Sequence, residues 1–239
     1  MRLPSNLTLG FLTLLPLLLL GFWPNYFARF GTVRLGLHVH AAAMFLWVAL
    51  LVVQASLVGR GRLGLHRSLG KLSIGLAILL VWSALVVVQE SLQAAGGQVT
   101  GAHLQLLALP LGGLGIFAIG YILALVYRRD RALHGRYMVV TALGLAGAGV
   151  NRLFLFHVPG FGDPAWAGHG SLLALELLTA VLIANDAGQG RVRTPFVVAL
   201  GLFGLNHLFY SVAADSAAWR TVAEAWAAWP LLAPWGTVR

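Results

Sequence analysis

The sequence predicts an all-α fold, a polytopic membrane bundle of seven transmembrane helices, and three observations predict it. Hydrophobic residues make up 59% of the 239 and charged residues only 10%, with a mean hydropathy of +0.84. A water-facing surface carries roughly 25–35% charge, so lipid must cover most of this one. The apolar residues fall in seven runs, separated by charged or Gly/Pro-rich breaks, and each run is close to the about 20 residues that cross a hydrocarbon core. Basic residues collect in alternate breaks. The whole chain, 1–239, therefore reads as a single integral membrane domain, built as helical hairpins plus an N-terminal helix.

Span 1, about 7–22, follows Arg2. It lacks a small-x-small cleavage site before Trp23-Pro24-Asn25-Tyr26, so it reads as a retained helix and not a signal peptide. Span 2, about 37–58, carries His40, Trp47 and Gln54 every seven residues, with Met44 and Leu51 on the same face. That face is expected to look into the bundle. His38 lies about 200° around the helix from His40, so the two do not serve one site. Span 3, about 70–89, comes after Arg60, Arg62, Arg67 and Lys71. Span 4, about 103–127, begins at His103 and is followed by Arg128, Arg129, Arg131 and Arg136. Span 5, about 136–157, contains Arg152 and ends at His157. Span 6, about 169–186, starts at His169, holds Glu176 inside the apolar run Leu172 to Ile183, and ends at Asn185-Asp186, which is expected to meet Arg191 or Arg193. Span 7, about 195–213, carries His207, Tyr210 and Ser211 as an i, i+3, i+4 patch. The tail, 214–239, with Trp219, Trp226, Trp229 and Trp235, suits an interface.

The breaks after spans 2, 4 and 6 hold the basic clusters, whereas those after spans 3 and 5 hold no Lys or Arg. The positive-inside rule then places the N-terminus in the cytoplasm and the C-terminus outside, in a bacterial inner membrane. A weak repeat supports the hairpins: Leu65-His66-Arg67 after span 2 is echoed by Leu133-His134-Gly135-Arg136 after span 4. Both inner histidines read as topology anchors beside lipid headgroups.

A longer string of residues resembles a family. It comprises His38-Val39-His40-Ala41-Ala42-Ala43, Trp47, Gln54, Gly61-Arg62, Leu65-His66-Arg67-Ser68-Leu69-Gly70, Asn151-Arg152, Asn185-Asp186, Gly190-Arg191-Val192, and Ala218-Trp219 with Ala223-Glu224-Ala225-Trp226. In this order they are similar to an uncharacterised bacterial seven-helix inner-membrane protein family, a domain of unknown function. The chain departs from it at Arg193-Thr194, where an Arg-Val-His-Pro run is usual, and at Gly135, where Lys-Arg is usual. The resemblance implies topology and location, and no mechanism.

The chemistry is confined by what is missing. With no cysteine, disulfides, thiolate metal sites, iron–sulfur clusters and covalent c-type haem are removed together. No G-x-x-x-x-G-K-[ST] phosphate loop occurs, which removes ATP-driven transport by this chain alone. Six of the eight histidines map to the outer half. Five of them, His40, His103, His157, His169 and His207, come from five helices at similar depth. Glu176 lies about 10 Å below the expected start of span 6 and shares a face with His169, seven residues away. An intramembrane carboxylate points to function.

These residues suit haem b or another His/carboxylate-bound metal serving redox or cofactor handling. Glycines on spans 3 to 5 (Gly75, Gly112, Gly113, Gly115, Gly120, Gly144, Gly147, Gly149) would leave room for a macrocycle, Arg152 would meet a propionate, and Trp47, Gln54 and Tyr210 would support. A zinc-dependent membrane hydrolase, with Glu176 or Asp163 activating water on a lipid, is an alternative, against which stands the lack of an H-E-x-x-H pair. A non-catalytic transporter, sensor or accessory subunit, with Glu176 and His207 as a proton-linked pair, is another. Beyond the lipid bilayer no partner is legible, and nothing suggests nucleic acid.

Overall fold

The computed structural model describes residues 3–94 and 99–229. Arg2, residues 95–98 of the loop after span 3, and Trp235 with the rest of the tail from residue 230 lie outside the described residues. The described chain is helical throughout, in the order α1 (Leu3–Leu12), α2 (Leu14–Phe22), a 3-10 turn (Phe27–Thr32), α3 (Leu35–Gly59), α4 (Leu63–Ala94), α5 (Gly101–Val126), α6 (Arg131–His157), α7 (Pro164–Gly188), α8 (Thr194–Ala213) and α9 (Ala217–Ala228). Six of these, α3 to α8, are long and apolar enough to cross a membrane, which makes a multi-pass membrane protein. The first apolar run is divided between α1 and α2 at Thr13, and the apolar stretch Leu7–Phe22 is shorter than the other six helices. Pro16 stands in the first turn of α2, where a missing N–H costs least.

The helices begin earlier than the apolar runs because hydropathy marks the lipid-facing length and capping marks the helix end. Asp130 caps α6 by accepting the N–H groups of Ala132 and Leu133 at 2.8 and 3.1 Å. Asp163 does the same for α7, from Ala165 and Trp166 at 2.7 and 3.3 Å. Thr100 caps α5 through His103 N–H at 3.4 Å. Gly61 and Gly190, at φ +70° and +84°, close α3 and α7 in the left-handed conformation that only glycine adopts without strain. In each case the next amide donates back into the helix, Arg62 to Leu57 at 2.9 Å and Arg191 to Asp186 at 3.2 Å.

The chain divides into two compact units. One comprises residues 1–19, 23–98 and 221–239; the other comprises 20–22 and 99–220. In the first, α3 and α4 form an antiparallel hairpin with α1 against α3, and Trp47, Leu51 and Leu80 are buried between them. Gln89 on α4 donates to the Trp226 and Trp229 carbonyls at 3.1 and 2.7 Å, closing the end of α9.

In the second unit α5 packs on α6 and α8, α6 on α7, and α7 on α8. Gly113 and Gly144 meet so closely that a methyl on Gly144 would lie 2.9 Å from the Gly113 carbonyl oxygen, and one on Gly112 would overlap the Asn206 side chain at 1.9 Å. These glycines are where the helices of this unit touch. Asp186 departs from expectation. Its carboxylate pairs with neither the Arg191 nor the Arg193 side chain; it lies in the last turn of α7, 2% exposed, and takes Arg136 Nε at 2.9 Å and Nη2 at 2.5 Å. Arg136 is therefore a buried ion-pair partner and not a headgroup anchor.

Candidate functional site

α7 and α8 run side by side in the second unit, and their polar faces meet. His169 Nδ1 lies 3.0 Å from His207 Nε2, and His207 Nδ1 lies 3.0 Å from Glu176 Oε1. The seven-residue interval puts His169 and Glu176 on one face of α7, two turns apart, and His207 reaches between them from α8. A carboxylate only accepts, which assigns the His207 proton to Nδ1 and leaves Nε2 to accept from His169 Nδ1–H. The result is a directional chain, His169 to His207 to Glu176. The Glu176 and His207 side chains are 19% and 24% exposed.

Three neighbours hold the chain in place. The Tyr210 ring is fully buried and stands edge-on to His169 at 5.0 Å, while its hydroxyl donates to the Ala165 carbonyl at 3.1 Å. Gly168 makes this possible, since a methyl there would fall 1.9 Å from the Tyr210 hydroxyl. Trp166 covers the other side of His169 at 6.0 Å. Because α7 starts at Pro164, Glu176 is the thirteenth of its 25 residues and lies midway along the helix, deeper than the sequence placed it.

The other proposed ligands go elsewhere. His40, in the first unit, contacts Ser83 Oγ at 3.2 Å. His103 sits in the first turn of its own helix beside Thr100 Oγ1 at 2.9 Å. His157 faces the Leu20 carbonyl at 3.3 Å. Arg152 lies over Phe22. On span 2, Trp47 is wholly buried, and Gln54 donates to the His66 carbonyl at 3.1 Å. His38 contacts the Tyr26 hydroxyl at 3.0 Å.

Among the described residues no group of three or more His, Asp or Glu is arranged to hold a metal ion. A cavity of about 10 Å³, lined by Gly36, Val39, Trp82, Ser83 and Val86, lies in the first unit and is far smaller than the about 300 Å³ at which ligand pockets begin.

Sequence reasoning missed two buried polar groups. One is the Arg136–Asp186 pair, whose signal was a carboxylate inside the last apolar turn of span 6. The other is Asn206, next to His207, buried with Oδ1 lacking a partner. No family model matches the chain, and no curated protein or solved structure is detectably similar to it.

Proposed function

We propose that this chain is a seven-helix inner-membrane protein, N-terminus cytoplasmic and C-terminus outside, that handles protons at Glu176, as a proton-linked transporter, sensor or accessory subunit. The observation that carries the reading is the unbroken pair of 3.0 Å contacts joining His169, His207 and Glu176. A carboxylate in an apolar helix costs several kcal/mol unless it is paired or protonated, and a histidine is the partner whose charge changes near neutral pH. A proton arriving at His169 moves His169 Nδ1–H to His207 Nε2 and His207 Nδ1–H to Glu176. Each atom ends with an ordinary valence, and the two rings are left in their other tautomers. Reset of the rings supplies the next transfer.

The orientation rests on the basic turns at Arg60 and Arg62, Arg128 and Arg129, and Arg191 and Arg193, against Arg29, Arg34 and Arg220 on the opposite side. Leu7–Phe22 supplies the seventh crossing by tilting little and drawing the bilayer thin.

The test uses the full chain in liposomes. Infrared difference spectra should show a carboxyl C=O band that titrates with pH and vanishes in Glu176→Gln, and proton uptake under an imposed gradient should fall about tenfold or more in His207→Ala, as for loss of a positioned proton carrier. A wild-type chain with no titrating carboxyl and no proton movement would overturn the reading. A Soret band in the purified chain would replace it with the haem reading.

A further inference from the structure

Two arginines on α6 are built alike and differ in one respect. Arg136 donates Nη1 to the carbonyl of Ala132, one turn back, at 3.2 Å, rests its guanidinium 6.0 Å over the Phe196 ring, and closes its Nε–Nη2 edge on the Asp186 carboxylate. Arg152 repeats the first two contacts. Its Nη1 donates to the Ala148 carbonyl at 3.1 Å, and its guanidinium lies 4.6 Å over the Phe22 ring. Its Nε is buried and meets no acceptor among the described residues, and no described carboxylate pairs with it. Asn151, the preceding residue, is 8% exposed, and its Nδ2 likewise lacks an acceptor.

Both unmatched groups are donors, so what the position lacks is an acceptor. A guanidinium does not shed its proton to escape this. In lipid the charge has to be met by an anion or carried to the headgroups. The Nε–Nη2 edge matches two oxygens of a tetrahedral or planar oxyanion, as Arg136 on the same helix demonstrates with Asp186. The aromatic support is itself held in place: Gly21 packs on Gly149, where a methyl would lie 2.7 Å from the Gly149 carbonyl oxygen, and His157 contacts the Leu20 carbonyl. Arg152 lies five residues, about 7.5 Å, from the end of α6, within reach of a phosphate at the membrane surface. The Arg152 side chain is partly exposed.

We infer that Arg152, stacked on Phe22 and flanked by Asn151, is an oxyanion site that takes a phosphate group. The phosphate comes either from an anionic phospholipid headgroup or from free phosphate. The site shares no residue with the His169–His207–Glu176 chain, and neither assignment depends on the other.

The test uses the full chain in detergent. Native mass spectrometry after incubation with phosphatidylglycerol or phosphatidylcholine vesicles reads lipid retention, and the thermal midpoint with and without inorganic phosphate reads the free anion. Phosphatidylglycerol should be retained over phosphatidylcholine, and retention should weaken about tenfold in Arg152→Gln, the loss of a charge-assisted fork, while Arg191→Gln in the exposed turn leaves it unchanged. Phosphate stabilisation of the wild type that is lost in Arg152→Gln identifies the free anion as a ligand; lipid preference without it identifies the headgroup. Arg152→Lys keeps the charge without the fork and should weaken binding severalfold, which keeps the test open if the Gln variant does not fold. Equal retention of both lipids together with no phosphate effect in the wild type overturns the assignment, as does unchanged binding in Arg152→Lys or Arg152→Gln.

Discussion

Asp186 and Arg136 show at the residue scale how burial changes the meaning of a charge. With Asp186 2% exposed and three contacts at 2.5 to 3.1 Å, Asp186→Ala should leave an unmatched guanidinium and destabilise the fold by about 3–5 kcal/mol. Joint replacement by Met at 136 and Leu at 186 should recover most of that loss. Unfolding midpoints in a mixed-detergent titration of the wild type and the two variants check this, and a double variant no more stable than Asp186→Ala would show that the pair does not act as a unit. Glu176 was legible in the sequence because a lone carboxylate interrupts an otherwise apolar run. Its partner was legible only as one of several histidines. Within the second unit, His103 does not join His169 and His207, because a histidine near a helix end finds a backbone carbonyl or a hydroxyl within its own turn.

At the scale of elements, close helix contact accounts for Gly112, Gly113 and Gly144 but not for Gly75. A methyl on Gly144 would meet backbone atoms at 2.9 Å, the Gly113 oxygen and the Phe117 nitrogen, whereas one on Gly75 would meet nothing within 4 Å. Gly144→Ala should therefore push α5 from α6 and lower the unfolding midpoint, while Gly75→Ala should be neutral or stabilising by up to about 1 kcal/mol. Equal effects would show that α5 and α6 do not meet at these glycines. The start of α6 carries a pH dependence. The N–H groups of Leu133 and Ala132, with smaller help from Arg193 and Arg191, hold the Asp130 carboxyl below its ordinary range. A lowered pKa stabilises the fold fully above the unfolded value, and that contribution is lost as pH falls through the folded one. The stability difference between wild type and Asp130→Ala should thus be present at neutral pH and vanish in acid, read from melting curves at several pH values. The caps at Asp130 and Asp163 also show why the helices overrun the apolar runs: the runs are set by lipid, the ends by side-chain acceptors.

For the molecule as a whole, the absence of cysteine makes topology directly measurable. Single substitutions Arg129→Cys and Gly162→Cys should label from opposite sides of sealed inverted vesicles, the first accessible and the second protected; the same access at both would refute the orientation. Chain composition alone determined that this is a helical, multi-pass membrane protein, because a backbone in hydrocarbon must satisfy its own hydrogen bonds and a surface with so few charges has no other solvent. The alternate placement of arginines predicts which turns share a side, since charge is costly to translocate. What the sequence left undecided was partnership. Periodicity puts His169 and Glu176 on one face, but only the packing of α7 on α8 selects His207 to join them. Only the approach of α7 to α6 gives Asp186 to Arg136, and Arg152 Nε is left without an acceptor among the described residues. Those choices depend on contacts between helices far apart in the chain, which no local spacing encodes.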